Sequence, residues 1–314
     1  VFPITDDAQS VWDVLHTYMT ENHVQVMSGI SVVKIVHESN RISYVQLAND
    51  QRIYAKSFIF ATGGLSRPDT GSTGDGFEWL RELGHTVAKP DPSLVPLTLK
   101  DTWTSSLAGV SLPNITLSLI EDGKKTAKQS GGMVFTHQGI SGPATLNLSR
   151  DVGERLPYGP VTLSLDLLPK ETLETLDGRL REAIAAESNR KIRNVLSSLI
   201  PGALVSVVLD IANVEEDTPA NSVTREQRIA LGTAIKNIHL NVKGRLGFEK
   251  AIIASGGVEL TDVDTRTMRS RIIDNLYIVG DLLNIDRPSG GYSLQLCWTT
   301  ATVAALDASA RAKE

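Results

Sequence analysis

A glycine pair followed by about 20 residues of helical spacing, Ser289-Gly290-Gly291-Tyr292 through Ala308, constrains this chain more than any other stretch. Leu294, Cys297 or Trp298, Ala301, Ala305 and Ala308 recur every three to four positions and predict one apolar helix face. Thr299, Thr300, Ala301, Ala304 and Ala305 are small enough to let another backbone approach. The first amides of a helix have no internal partner and carry partial positive charge, so glycines placed there let a polar ligand lie against them. Just upstream, Asn275-Leu276-Tyr277-Ile278-Val279-Gly280-Asp281 reads as a short buried strand ending in a turn with a carboxylate at its tip. Strand, Gly-Asp, loop, Gly-Gly and long helix form one unit suited to a polar cofactor.

At 314 residues the chain is long enough for roughly two domains of about 150 residues. Mean hydropathy is -0.06 and no apolar run approaches a membrane-spanning length. The net charge of -5 provides no basic field for nucleic acid or anionic lipid. A single cysteine excludes an internal disulfide and any multi-cysteine metal site, and fits a reducing cytoplasm. No metal ligand set is expected.

In chain order, Asp6 or Asp7 caps a first helix whose buried face is Val11, Val14, Leu15 and Tyr18. Val24 to Met27 and Ile30 to Val36 read as β runs, followed by Ile42 to Leu47 and Arg52 to Tyr54. Ser57 to Ala61 is an apolar strand running into Thr62-Gly63-Gly64. The polar loop from Ser66 to Gly76 leads to a short helix that stops at Gly84. Pro90, Pro92 and Pro96 punctuate a link. Short β segments follow, with Glu121-Asp122-Gly123-Lys124 as a hairpin turn. Glu171 to Asn237 is mainly helical, broken near Pro201-Gly202. The resulting division is 1–93 as the first part of a cofactor domain, 94–249 as an inserted β-barrel domain with a helical subdomain at about 170–237, and 250–314 as the second part.

No catalytic constellation stands out, and no acid or base is assigned. The six histidines are scattered, so structural or surface roles are expected; His137, in the loop Thr136-His137-Gln138-Gly139, is the best exception. Cys297 reads as a core residue rather than a nucleophile. Thr62-Gly63-Gly64, Gly280-Asp281 and Gly290-Gly291 are weak signals singly and much more specific in this order.

Those glycine features, with Val1-Phe2-Pro3, Thr70-Gly71-Ser72-Thr73-Gly74-Asp75-Gly76, Pro92-Ser93-Leu94-Val95-Pro96-Leu97, Phe135-Thr136-His137-Gln138-Gly139-Ile140-Ser141-Gly142-Pro143 and Gly290-Gly291-Tyr292-Ser293-Leu294-Gln295, carry a resemblance. The chain resembles the bacterial NAD(P)/FAD-dependent oxidoreductase family that includes the aminoacetone oxidase and BaiN-type flavoproteins. The resemblance runs from end to end. It implies an α/β fold: a Rossmann-like FAD/NAD(P)-binding domain with an inserted β-barrel and helical subdomain. It also implies that Ala61, Thr62, Gly63 and Gly64 pass close to FAD, and that backbone near Val32 and Val33 meets the adenine. Asp281 would hydrogen-bond the ribityl or pyrophosphate side, with Gly280 permitting the approach. Gly290, Gly291, Tyr292, Ser293 and Leu294 would bring helix amides to the pyrimidine end of the flavin.

One departure is large. The family begins with a strand, a Gly-x-Gly-x-x-Gly turn and a helix, and no such fingerprint occurs here. The expectation is an N-terminally truncated member lacking its first βαβ unit, with a missing piece on the order of a hundred residues, longer than one such unit of about 30, and inactive when taken alone. Asn284-Ile285-Asp286-Arg287-Pro288 also departs from the family pattern and would alter the flavin-side entrance. The expected function is an FAD-dependent oxidoreductase acting on a small organic substrate, with NAD(P)H or oxygen as redox partner. The alternatives are a redox-inactive binding protein on the same fold and an FAD-dependent RNA-modifying enzyme, which the acidic balance disfavours.

Overall fold

The computed structural model describes residues 3–313. Val1 and Phe2, which open the first of the resembling motifs, lie outside the described residues. Helix α1 spans Ala8–Glu21, and its cap is Asp7, whose carboxylate accepts the Gln9 amide at 2.9 Å. The expected buried face does not exist: no residue of α1 is buried, and Val14 and Tyr18 are 68% and 67% exposed. Periodicity identifies which side of a helix is apolar, not whether another element covers it. Val24 to Met27 is not a strand either; the Val24 amide turns back to the Met19 carbonyl at 2.9 Å instead of entering a ladder.

Strands β1 (Val32–Glu38), β2 (Arg41–Leu47) and β3 (Arg52–Ile53) form an antiparallel sheet in the order β1-β2-β3. Strand β4 (Phe58–Phe60) follows, then a polar loop and helix α2 (Asp75–Glu82). Strand β5 (Val87–Ser93) runs through Pro90 and Pro92, where the sequence suggested a link. It tolerates them because its sheet has only two strands, leaving one side without a ladder, and because its partner shifts register between Ser255 and Gly257.

Strands β6 (Leu97–Leu99), β7 (Ser111–Glu121), β8 (Lys124–Thr136) and β9 (Gly139–Ser141) come next, then helix α3 (Pro143–Arg155) and strand β10 (Val161–Asp166). The β7–β8 hairpin turns on Asp122 and Gly123, both at positive φ (50° and 74°), as a two-residue turn that matches strand twist demands. Helices α4 (Leu173–Ala186), α5 (Ile192–Leu196), α6 (Val205–Ala212) and α7 (Arg225–Lys236) form the helical subdomain. Capping boxes start α4 at Thr172 and α7 at Thr224. Strand β11 (Ile238–Arg245) closes a six-stranded barrel in the order β10-β11-β6-β9-β8-β7. Alternating residues such as Leu163, Leu165, Ile238 and Leu240 are fully buried and join barrel and helices in one core. Lys236 fixes α7 to the barrel: its ammonium pairs with Asp166 at 2.7 Å and donates to the carbonyl oxygens of Leu168 and Glu171.

Strand β12 (Ile253–Val258) pairs antiparallel with β5, so the chain leaves the barrel beside the point where it entered. Strands β13 (Val263–Asp264), β14 (Arg269–Ser270) and β15 (Leu276–Ile278) then complete a second sheet, β13-β14-β15-β4, in which β15 and β4 are parallel. All three residues of β15 are buried, as the apolar run predicts. Asn275 binds the sheet of β1 to this one by accepting the Ile42 amide and donating to the Ile42 carbonyl at 2.8 and 2.9 Å.

Helix α8 (Tyr292–Arg311) begins where the glycine pair indicated, but its inward side is rotated from the expected one. Thr300 and Ala304 are buried, with Cys297, Val303, Asp307 and Ala308 partly so, whereas Leu294, Ala301 and Ala305 are exposed. Polar contacts join apolar ones on this side: the Thr300 hydroxyl accepts the Gly280 amide and the Tyr277 hydroxyl donates to Asp307, while Val303, Ala304 and Ala308 pack against the core. The fold is thus α/β, a Rossmann-like part carrying an inserted barrel and helical subdomain.

Candidate functional site

The parallel pair β4 and β15 sets the site, because both strands release their loops at the same end: Phe58, Ile59 and Phe60 stand opposite Leu276, Tyr277 and Ile278. Behind β4 the chain runs through Ala61 and Thr62, both exposed, to Gly63 and the buried Gly64. Gly63 has φ +75°, and a Cβ there would lie 2.7 Å from the Ser72 hydroxyl. A Cβ on Gly64 would lie 3.2 Å from the Asp281 carbonyl oxygen. Gly76, at the start of α2, is tighter still: a Cβ would fall 2.1 Å from the Thr62 hydroxyl and 2.9 Å from Leu282. The Thr62–Gly64 loop is therefore wedged between α2 and the Gly280–Leu282 turn.

On the other side α8 crosses that turn. Gly280 has φ +65° and could not carry a side chain freely, since Cys297 Sγ would be 3.1 Å from its Cβ. Asp281 does not point at open solvent. Its carboxylate pairs with the Arg287 guanidinium, which is 6% exposed. Arg287 also donates from Nε to the Ser293 hydroxyl at 2.9 Å and from Nη1 to the Ile285 carbonyl at 2.7 Å. Cys297 Sγ lies 3.9 Å from Asp281 Oδ1. Burial, and then the Asp281 charge, push the Cys297 thiol up, which keeps it protonated and unreactive at neutral pH.

Gly290 and Gly291 face open space: no heavy atom comes within 4 Å of a Cβ built on either. Gly291 caps α8 at φ 91° with no side-chain hydrogen bond. Tyr292 and Leu294 are each 57% exposed, while Ser293 is half-buried under Arg287. The loop before the helix is fastened to the barrel side: the Ser289 amide donates to Asn147 at 3.0 Å, and Arg150 pairs with Asp286.

The structure thus gathers Ala61 to Gly64, Gly280, Asp281 and Gly290 to Leu294 around one end of the β4–β15 pair. Val32 and Val33 stand apart on β1, the first half-buried and the second 52% exposed at a register shift. Ser72, Gly76, Cys297 and Thr300 belong to the cluster although the sequence assigned them no cofactor role, and Arg287, expected only to alter the flavin-side entrance, is the partner of Asp281. For Arg287 the signal was present: a basic residue six positions after a Gly-Asp turn, rigidly followed by proline. The histidines are elsewhere. His85, 4% exposed, bridges the Leu80 carbonyl and the Ser270 hydroxyl, and burial holds its imidazole down. His137 is exposed at the β8–β9 turn. Among the described residues no group of three or more His, Cys, Asp or Glu side chains could hold a metal, and no helix is long and apolar enough to cross a membrane.

An α/β sheet with loops converging at the carboxyl ends of parallel strands, a glycine-flanked helix N-terminus and a barrel inserted through a two-stranded ribbon define the class. Residues 91–253 match the model of the HI0933-like protein barrel and H2TH domain, and the chain belongs to the HI0933-like family. A ribosomal RNA dihydrouridine synthase of Haemophilus influenzae is 30% identical over 91% of this chain and 68% of its own length. A 3-dehydro-bile acid delta(4,6)-reductase of Clostridium scindens is 29% identical over 99% of this chain and 76% of its own. A ribosomal RNA dihydrouridine synthase of Escherichia coli is 27% identical over 96% and 72%.

Proposed function

We propose that this protein is an FAD-dependent oxidoreductase that saturates a carbon–carbon double bond conjugated to a carbonyl group. The observation that carries this reading is the open N-terminus of α8, with no side-chain cap, beside the Gly280-Asp281 turn and the Thr62–Gly64 loop. Amides at such a terminus suit the edge of a ring that gathers negative charge, and the glycines leave room for it. When bound, FAD would supply hydride chemistry, with NAD(P)H as the electron donor. The residues of this chain would bind and orient it. Gly290 to Leu294 would meet the pyrimidine edge, Ala61 to Gly64 would line the approach, and Asp281 would accept from a ribityl hydroxyl with Oδ2 while Arg287 holds Oδ1. Val32 and Val33 would meet the adenine. In this division 1–93 and 250–314 hold the cofactor, and 94–249, with its helical part at about 170–237, covers the substrate side.

The names of the relatives support the reaction class. Forming dihydrouridine and reducing a delta(4,6) bile acid both add two hydrogens to an activated double bond. A small organic carbonyl compound is the leading substrate class, because a chain of net charge -5 has no general attraction for a polyanion. Ribosomal RNA is the second reading, favoured by the two dihydrouridine synthases. The single cysteine suits a cytoplasmic setting.

The test is anaerobic. The protein, purified in full-length form, is loaded with FAD, reduced with NAD(P)H while flavin absorbance is followed, then offered a cyclic enone or a ribosomal RNA fragment. Bleaching, followed by recovery of the yellow colour and a product heavier by two hydrogens, is the expected result, and the substrate that restores the colour decides between the readings. A protein that takes up no flavin would instead be a binding module on the same fold.

A further inference from the structure

Away from the glycine-lined cluster, two depressions flank the segment Thr102–Leu107, which follows directly on Lys100 and Asp101, both bonded to Asn241 of β11. One is a groove of about 760 Å³ with an apolar lining that includes Trp103, Val207, Ile211 and Ala230 and a rim that includes Asp210 and His239. The other, of about 450 Å³, is lined by Lys100, Lys243, His137 and Thr102, with Asp101 as its acid. β11 connects them. His239, Asn241 and Lys243 are exposed and alternate with buried Ile238, Leu240 and Val242, so they share the outward face over about 13 Å. Asn241 fixes Asp101 in place: its amide and Nδ2 both donate to the Asp101 carboxylate, at 2.5 and 3.0 Å.

The groove has a defined polarity. The buried Ser164 hydroxyl donates to Asn237 Oδ1, which turns the amide nitrogen toward His239 Nε2 at 2.9 Å. Nε2 is thereby the acceptor, and in the neutral ring the proton sits on Nδ1 as a free donor. Asp210 is exposed on the same rim as an acceptor. Trp103 gives an aromatic wall, partly buried and held 6.3 Å from Phe135. In the second depression Lys100 and Lys243 are exposed; among the described residues the ion-paired lysines are Lys191 and Lys236.

We propose that this surface binds a nucleotide unit, with the base in the Trp103 groove and the phosphate at Lys100 and Lys243. A base offers a flat face to the indole, a carbonyl or ring nitrogen to His239, and an N–H to Asp210. The phosphate finds two unpaired ammonium groups and the Thr102 hydroxyl one strand-length away. The acidic chain as a whole disfavours a long tract of phosphates, so the unit recognised is one nucleotide, free or at an exposed position of a strand. The site goes beyond the flavin reading and shares no residue with the flavin cluster.

The experiment titrates the protein calorimetrically with uridine monophosphate, adenosine monophosphate and a short single-stranded RNA. Saturable binding is expected, weakened roughly tenfold or more by Lys243→Glu and by Lys100→Glu. Trp103→Leu should weaken it while phosphate-site variants keep the wild-type melting temperature. RNA binding that exceeds the mononucleotides and falls with Lys243→Glu identifies a strand as the source. Equal affinity identifies a free nucleotide. The proposal is overturned if none of the three binds, or if binding survives both lysine reversals unchanged. Flavin absorbance is independent of these residues, so this result and that of the flavin test are separable.

Discussion

Arg287 offers the sharpest quantitative test, because its guanidinium is 6% exposed and serves three acceptors at once. Arg287→Met keeps much of the volume and removes the charge. It leaves the Asp281 carboxylate, 21% exposed, without its partner, and it strips the Ser293 hydroxyl and Ile285 carbonyl of a donor. Breaking a fully buried pair costs about 3–5 kcal/mol. The partial exposure of Asp281 lowers this, so we expect about 2–4 kcal/mol. At this chain length that corresponds to a fall in Tm on the order of 5–10 °C. Urea unfolding followed by circular dichroism measures the loss. The double variant Arg287→Met/Asp281→Leu should recover more than half of it, since no charge then stays unpaired. A single variant within about 0.5 kcal/mol of wild type, or a double variant less stable than the single, would refute the reasoning.

Three further outcomes are expected. In the full-length protein, Asp281→Ala should weaken FAD retention by about 1–3 kcal/mol, read from equilibrium titration of the flavin, whereas unchanged affinity would remove Asp281 from the cofactor's partners. Gly76→Ala should destabilise by about 1–3 kcal/mol because its new methyl meets the Thr62 hydroxyl at 2.1 Å, and adding Thr62→Ala should restore much of the loss in a thermal melt. Tyr277 is fully buried, and burial with the bond to Asp307 pushes its phenol up to about 12. Its folded value exceeds the unfolded one, so its contribution is complete below about pH 10 and disappears as pH rises toward 12; ultraviolet titration should show one of the six tyrosines ionising last, unless it titrates with the rest.

What the sequence disclosed was local or periodic. Glu121-Asp122-Gly123-Lys124 specifies a hairpin because both central residues tolerate positive φ, and the hairpin is there. The apolar run at Leu276 to Ile278 reads as a buried strand and Gly290-Gly291 as the start of a helix, and both are there. The failures share a physical origin: each needed knowledge of a neighbour distant in the chain. The apolar side of α1 gave no hint that nothing covers it. The inward side of α8 includes Thr300 reaching the Gly280 amide and Asp307 reaching Tyr277, polar contacts invisible to a hydrophobic pattern. Asp281 was legible as a carboxylate at the tip of a turn, but its pairing with Arg287 was not, because that depends on how the intervening loop folds. The prolines of β5 argued against a strand until its two-stranded setting was known.

The ribbon of β5 and β12 also dictates an order of events as the chain folds. Phe58 and Leu276 are neighbours across the parallel pair yet more than two hundred residues apart in sequence. Closing so long a loop directly pays a large entropy cost before any contact rewards it. Once the barrel has formed, its entry and exit strands lie side by side, and the same two segments are separated by little more than their own connections. The inserted barrel therefore acts as an internal splint: substitutions that delay its closure should slow maturation of the glycine-lined end of the sheet, although they lie nowhere near it.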